Sequence, residues 1–304
     1  MPVRLTDLDE SAPLTDGAER LERGEVLRFA PGAVPLPSDE DLEFLRRKLP
    51  SGSPGHSNSS YLPDRDRLYG LDGDSQFLER ARSILAERDR VVREALGRLV
   101  PEYARDWRVG KVEYTHRETR MAESIHEQGR RPAHLGLFTQ GTSHGATHGD
   151  RVLRFFTNVH PTQARVWHSA GTFADIYPHI AERLVREKAT DGLRPRWLDR
   201  ARSRTLRGLT GLGLSAAQRA DSSPYDRAMK RLLTALESDD EFWEEPRAEL
   251  MLEFPPLSSW LVMTDVVSHA EVSGRQALVN TLFVKRARER CPAISPWAHL
   301  AGTV

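Results

Sequence analysis

The sequence has almost no cysteine, few lysines and no long apolar run. Cys291 is the single cysteine among 304 residues. This excludes a disulfide framework and a cysteine-based metal site, and it predicts a reducing, cytoplasmic compartment. No apolar stretch approaches the roughly 18 residues of a membrane span, and no signal peptide opens the chain. Five of the 44 basic residues are lysine, which leaves 39 arginines, and arginine is the better bidentate partner for carboxylates.

The charges of the chain balance, with 44 basic and 44 acidic residues and a formal net charge of zero. Because there is no positive excess, a nucleic acid polymer is not an expected partner. The length fits a single elaborated β-barrel enzyme. We therefore predict one domain over residues 1–304, with helices that brace a barrel and a weakly ordered segment over residues 1–22.

Two histidine-bearing segments predict strands beside polar loops. Strands are predicted over residues 132–138 and 151–160, the second of which is rich in β-branched and aromatic residues, and a Gly-, Ser-, Thr- and His-rich loop joins them. A later segment, residues 258–269, ends at a histidine. One histidine near a strand end and another beside a distant strand suit a mononuclear metal site in a β-barrel.

Helical periodicity is clearest over residues 75–107, where apolar residues recur at spacings of three and four and Pro101 predicts a break. A short helix is predicted over residues 38–48, which begin with a serine N-cap. Another is predicted over residues 178–189, with a proline in its first turn. Residues 49–74 are rich in Gly, Ser, Pro and Asp and predict a long loop.

Spacing alone leaves two sets of metal ligands open. In the first, His148, Asp150 and His269 form the two-histidine, one-carboxylate triad of non-haem Fe(II) oxygenases, which leaves three positions for 2-oxoglutarate and oxygen. In the second, His134 is the first ligand, and Gly136 stands where a carboxylate would follow it. A halide could fill the position that this glycine opens. Spacing favours the first set, because it supplies all three ligands.

Five segments after residue 146 resemble the 3-deoxy-D-manno-octulosonic acid hydroxylases, a family of Fe(II)/2-oxoglutarate oxygenases. The resemblance implies an α+β chain with a double-stranded β-helix, a jelly-roll or cupin-like barrel. It also implies Fe(II), 2-oxoglutarate and O2 as cofactors and co-substrate. The matching segments are Thr147–Pro161, Ala164–Trp167, Ser223–Asp226, Phe254–Trp260 and Thr264–Gly274.

The metal motif of that family has the form His-Val-Asp-Ala-Phe, and the corresponding place here is His134-Leu-Gly-Leu-Phe. The resemblance therefore implies His134 and His269 as ligands and leaves Gly136 in place of the carboxylate. A His-x-Gly replacement marks the Fe(II)/2-oxoglutarate halogenases, in which chloride binds iron directly. We therefore expect chlorination of an unactivated C–H carbon. The alternative is a hydroxylase of a sugar acid or related metabolite that uses His148, Asp150 and His269.

2-Oxoglutarate requires a cation for its distal carboxylate, and arginine is the usual choice because its fork is bidentate. Arg154, on the strand after the central loop, is the first candidate. Arg117 and Arg165 are the alternatives, and Trp167 is expected to form a wall beside the cofactor.

The substrate is expected to be a small anion, either a sugar acid or a nucleotide such as a deoxynucleotide. Arg275 follows His269 by six residues and is a candidate substrate contact. His148 and Ser143 lie on the polar loop and are candidates for the same role. No oligomeric state is predicted.

Overall fold

The structure is a computed structural model that describes residues 3–8, 14–49, 58–116, 119–120, 147–186, 223–237, 239 and 250–302. Antiparallel strand pairing dominates it, and among the strands of the described residues only β1 and β2 run parallel. The strands are β1 (Arg4–Leu8), β2 (Glu25–Phe29), β3 (Asn58–Leu62), β4 (Arg67–Tyr69), β5 (Arg108–Thr115), β6 (Thr119–Arg120), β7 (Arg151–Asn158), β8 (Arg165–Ser169), β9 (Leu250–Phe254), β10 (Ser259–Met263), β11 (Ala270–Gly274) and β12 (Ala277–Val284).

The helices of the described residues lie mainly outside the sheets. The longest one has the apolar spacing that its sequence predicts, and Asp74 caps it by accepting from the Phe77 backbone N–H at 2.8 Å. The helices are α1 (Gly17–Glu22), α2 (Asp39–Glu43), α3 (Ser75–Leu99), α4 (Pro101–Ala104), α5 (Phe173–Arg186), α6 (Pro224–Glu237) and α7 (Pro296–Ala301).

The strands form two sheets. The first has eight strands in the order β1-β2-β10-β7-β12-β5-β3-β4, and the second has four in the order β6-β11-β8-β9. The long strands β7 and β12 pair over their whole length, from Arg151 opposite Val284 to Asn158 opposite Ala277. This central pair places every side chain of β7 in a fixed position relative to its neighbours.

The two faces of the first sheet pack against different partners. Phe156 and Val279 belong to a buried cluster with Trp167 of the second sheet. Phe155 and Leu282 instead belong to a cluster with the apolar side of α3. Because side chains alternate along a strand, the even-numbered residues of β7 and the odd-numbered residues of β12 face the second sheet.

Two stretches expected to be irregular contain regular elements. β1 and α1 lie within residues 1–22, and Leu21 of α1 is fully buried against the core. The hairpin of β3 and β4 lies within residues 49–74 and pairs with β5. Tertiary pairing and burial therefore order polar segments whose composition alone predicts loops.

The predicted start of the helix over residues 178–189 is wrong. α5 begins at Phe173, so Pro178 is inside it. Thr172 donates through its backbone N–H and its hydroxyl to Asp175 at 3.0 and 2.7 Å, and the Asp175 N–H donates back to the Thr172 hydroxyl at 3.3 Å. This reciprocal cap fixes the start of the helix one turn earlier than the proline suggests.

Among the residues that the structure describes, no helix combines the length and the apolar character that a membrane crossing requires.

Candidate functional site

His269 directly precedes β11 and is 9% exposed. Its Nδ1 lies 3.0 Å from the Val267 carbonyl oxygen, so the Nδ1–H donates to that carbonyl and Nε2 carries the lone pair. Burial lowers the pKa of His269 to about 4, and the charge of Arg154 also lowers it. A neutral imidazole that the backbone orients through one nitrogen is the form that binds a metal through the other.

An aromatic cluster holds the plane of this imidazole. The Trp167 ring stacks on the His269 ring with centroids 4.6 Å apart. Phe156 and Phe254 meet Trp167 edge-on at 4.8 and 5.1 Å, and Trp260 does so at 5.4 Å. Each such contact contributes about 0.5–1.5 kcal/mol beyond area burial, so Trp167 is fixed and in turn restricts the histidine.

Arg154 lies in the middle of β7, directly opposite Thr281 of β12. It shares the face of Phe156, so both Arg154 and Thr281 face the second sheet. Burial lowers the pKa of Arg154, whereas the charges of Glu113 and Glu271 raise it. Arg154 Nε and Thr281 Oγ1 are buried and have no hydrogen-bond partner among the described residues. A ligand carboxylate could satisfy both donors at once.

Two charged residues of β5, Lys111 and Glu113, also face the second sheet. Glu113 is opposite Val279 of β12 and forms an ion pair with Lys111, two residues earlier on the same face. Their side chains are 9% and 13% exposed. Because Lys111 is already paired with Glu113, Arg154 is the better cation for a ligand that lies between the sheets.

The second sheet supplies a further guanidinium. Arg165, at the start of β8, is 1% exposed, and its Nη2 lies 3.3 Å from a carboxylate oxygen of Glu271. Arg165 Nε and Nη1 are buried without a hydrogen-bond partner among the described residues. Gly274 permits this packing: a Cβ there would lie 2.8 Å from Arg165 Cγ, and its φ is +138°.

The triad of His148, Asp150 and His269 is not assembled. Among the described residues, which include all three, no group of three or more His, Cys, Asp or Glu could hold a metal ion. Asp150 instead accepts the Arg286 backbone N–H at 3.3 Å, just before β7 begins. Asp150 is four positions before Arg154, about 13 Å along a strand, so Asp150 lies at the end of the sheet and not between the sheets.

A buried carboxylate holds the turn that carries His148. Thr147 donates to Asp226 through its backbone N–H at 3.1 Å and its hydroxyl at 2.5 Å. Asp226 also accepts the Ser223 N–H at 2.9 Å and so caps α6. His148 itself has a left-handed backbone, with φ +57°. The turn is therefore anchored to α6 through Asp226.

The remaining predicted site residues are not gathered at one place. Arg275 is exposed in the turn between β11 and β12 and does not lie between the two sheets. Four predicted residues lie outside the described part of the chain: His134, Gly136, Ser143 and Arg117.

Sequence reasoning missed Thr281 and Glu271. Thr281 is a hydroxyl residue within the apolar run of β12, and this polar interruption was the available signal. Glu271 lies two residues after His269 and is opposite Trp167. Its place in the site follows from strand parity, because the residue after next on a strand returns to the same face.

The comparisons with known proteins agree on one family. The sequence model described as 3-deoxy-D-manno-oct-2-ulosonic acid (Kdo) hydroxylase matches residues 6–303. No curated protein matches this chain.

Solved structures of the Kdo hydroxylase KdoO, a non-heme Fe(II) alphaketoglutarate-dependent dioxygenase, are similar to the whole chain. The apo structure and the complex with succinate and Fe(III) each have a TM-score of 0.75, and the complex with alphaketoglutarate and Fe(III) has 0.74. Each is 25% identical and covers 100% of this chain and 96% of the other. The mixed α+β architecture with its large sheet is therefore the fold of that dioxygenase.

These comparisons contradict the prediction of chlorination. The matching family is described as a hydroxylase, and the similar structures are of a dioxygenase bound to iron, succinate or alphaketoglutarate. They support iron and 2-oxoglutarate and give no support to chloride or to a nucleotide substrate. Because the comparisons do not support halogenation, they give no reaction in which a halide bound at the Gly136 position would take part.

Proposed function

The chain belongs to the 3-deoxy-D-manno-oct-2-ulosonic acid (Kdo) hydroxylase family, and we propose that it is an Fe(II)- and 2-oxoglutarate-dependent hydroxylase of a sugar acid. The observation that carries the proposal is the placement of His269 and Arg154 between the two sheets, near enough for the charge of Arg154 to lower the pKa of His269. One is a buried neutral imidazole whose Nε2 bears the lone pair. The other is a partly buried arginine whose buried Nε has no hydrogen-bond partner among the described residues.

The described residues supply one metal ligand and a cation for the co-substrate. His269 would hold Fe(II) through Nε2, and the family resemblance implies His134 as the second imidazole. Arg154 and Thr281 would bind the distal carboxylate of 2-oxoglutarate, because a guanidinium and a hydroxyl on paired positions converge on one acceptor. Bound Fe(II) would supply oxygen activation coupled to decarboxylation of 2-oxoglutarate. Trp167 would exclude water from the metal side of the histidine.

The finer description of the fold is part of the same proposal. The strand groups β10-β7-β12-β5 and β6-β11-β8-β9 have the order expected for the two halves of a double-stranded β-helix. Buried contacts between Phe156 and Trp167 join the halves. This arrangement supports the predicted jelly-roll barrel, with its ligand space between the sheets.

The test is a coupled assay of the purified protein with Fe(II), 2-oxoglutarate, isotopically labelled O2 and free Kdo. The expected result is succinate formation together with a Kdo product that has gained one labelled oxygen atom. Gly136→Asp, which restores the carboxylate of the family motif, should retain oxygen insertion and bind the metal more tightly. A wild-type protein that consumes 2-oxoglutarate without inserting oxygen into Kdo would contradict this assignment of reaction and substrate.

Two variants assign the residues, each with a matched control. His269→Ala should abolish binding of Co(II) used as a probe for the metal, whereas His299→Ala, a partly buried histidine beside Phe173, should not. Arg154→Gln should weaken 2-oxoglutarate binding roughly 10- to 100-fold, the effect of losing a hydrogen bond to a charged group. Arg90→Gln, an exposed arginine of α3, should leave this binding unchanged.

A further inference from the structure

Glu271 contacts the guanidinium group of Arg165 and acts on that of Arg154 through its charge. Its carboxylate forms an ion pair with Arg165, at 3.3 and 3.4 Å from Nη2, and its charge raises the pKa of Arg154. A favourable charge-assisted contact between guanidinium and carboxylate measures about 2.7–2.9 Å and is often bidentate. The contact of Glu271 with Arg165 is longer, with both carboxylate oxygens near Nη2.

Arg165 is unusually poorly satisfied for a buried charge. It is 1% exposed, yet Nε and Nη1 have no hydrogen-bond partner within the described part of the chain. Taking a guanidinium out of water is costly unless hydrogen bonds and an opposite charge compensate. The present pairing leaves this group able to accept a better carboxylate partner.

Glu271 is also the member of the group that solvent reaches. Its side chain is 35% exposed, against 1% for Arg165. It lies opposite Trp167 on β8, whose ring stacks on His269, so it faces the space beside the metal ligand. Rotation of this side chain away from Arg165 would leave the backbone pairing of Glu271 with Trp167 unchanged.

We propose that Glu271 is a displaceable counter-ion, which neutralises Arg165 and Arg154 until the distal carboxylate of 2-oxoglutarate takes its place. This rests on the proposed function and makes Glu271 a positioning residue that sets cofactor affinity. Succinate carries an equivalent carboxylate, so the competition by Glu271 also weakens the hold on the product. The residue therefore lowers the affinity for both dicarboxylates and favours release of the product after turnover.

The test measures dissociation constants of the Co(II)-loaded protein for 2-oxoglutarate, succinate and 2-oxobutyrate, which has the same 2-oxo acid group but no distal carboxylate. Glu271→Gln should tighten binding of the two dicarboxylates roughly 5- to 20-fold, the scale of one displaced charge contact, and leave 2-oxobutyrate unchanged. Glu253→Gln, an exposed acid on neighbouring β9, makes the same charge change outside the space and should have no effect.

A shorter acidic side chain tests whether Glu271 acts through direct contact with Arg165 or only through its charge at a distance. Glu271→Asp keeps the charge but withdraws the carboxylate by about one bond length from Arg165, so it should bind dicarboxylates nearly as tightly as Glu271→Gln. The proposal would be overturned if Glu271→Asp bound the dicarboxylates with wild-type affinity. It would also be overturned if Glu271→Gln bound all three ligands more tightly by the same factor. Wild-type protein that binds no 2-oxoglutarate would defeat the proposed function itself. Normal binding that Glu271→Gln does not tighten would defeat only the counter-ion role.

Discussion

Glu289 gives a pH-dependent stability that can be worked out from its surroundings. Its side chain is 1% exposed and lies 3.5 Å from Arg151, which is also in contact with Asp265 at 2.6 Å. Burial raises the pKa of Glu289 from 4.5 to about 7, and the charges of Asp265 and Glu22 raise it as well, while Arg151 opposes them. Glu289 Oε2 has no hydrogen-bond partner within the described residues. One arginine therefore serves several carboxylates, and Glu289 is the one that keeps its proton.

The direction of the change in the free energy of unfolding with pH depends on how many protons the folded and unfolded states bind. Between pH 4.5 and about 7, the folded protein keeps a proton on Glu289 that the unfolded chain has lost. The free energy of unfolding therefore falls as the pH rises through this window. A difference of this size in pKa amounts to about 2.5 kcal/mol lost between pH 5 and pH 8.

The assay is urea unfolding of the wild type and of Glu289→Gln at pH 5 and at pH 8. Gln is a neutral replacement, so the stability of the variant relative to wild type should rise by about 2.5 kcal/mol on going to pH 8. Glu94→Gln, an exposed residue of α3, should show no such change. A stability difference equal at both pH values would mean that Arg151 holds Glu289 ionised throughout, and the argument from burial would be refuted.

Three further substitutions test the packing around the site. Asp265→Ala strands the buried Arg151 and should cost about 3–5 kcal/mol, whereas Asp106→Ala removes an exposed partner and should cost less than about 1 kcal/mol; urea unfolding measures both. Asp226→Ala leaves several buried donors unpaired and should cost about 2–4 kcal/mol, seen as a lower Tm. Gly274→Ala meets a Cγ at 2.8 Å with φ +138° and should cost about 1–3 kcal/mol, with weakened 2-oxoglutarate binding as a second readout.

The sequence predicted the elements whose period is strong. The α3 helix and the break at Pro101 follow from apolar spacing and proline chemistry, and β7 follows from its β-branched and aromatic residues. β11 was missed, because Ala-Glu-Val-Ser-Gly has no clear alternation. Its strand conformation depends on pairing with β8 and β6, which is tertiary information that no local window contains.

The alternative metal triad was wrong for a related reason. His148 and Asp150 are two positions apart, which is the spacing of a His-x-Asp ligand pair, and they directly precede the strand that carries Arg154. The turn takes them to the end of the sheet, where Asp150 binds a backbone N–H of Arg286. Distance along the sequence does not show whether a residue lies inside a strand or in the turn before it. The folded structure was needed to show that His148 and Asp150 do not form a metal site with His269.

Strand parity explains how the motif Arg151-Val-Leu-Arg154 contains two arginines with different tasks. Residues three apart on a strand face opposite sides of the sheet. Arg151 therefore meets Asp265 and Glu289 on the side of the outer helices, where it stabilises the fold. Arg154 faces the second sheet and the space beside His269. Exchanging their surroundings would require a one-residue shift of β7, which its eight paired positions with β12 prevent. The register of one strand thus decides which arginine is available to a ligand.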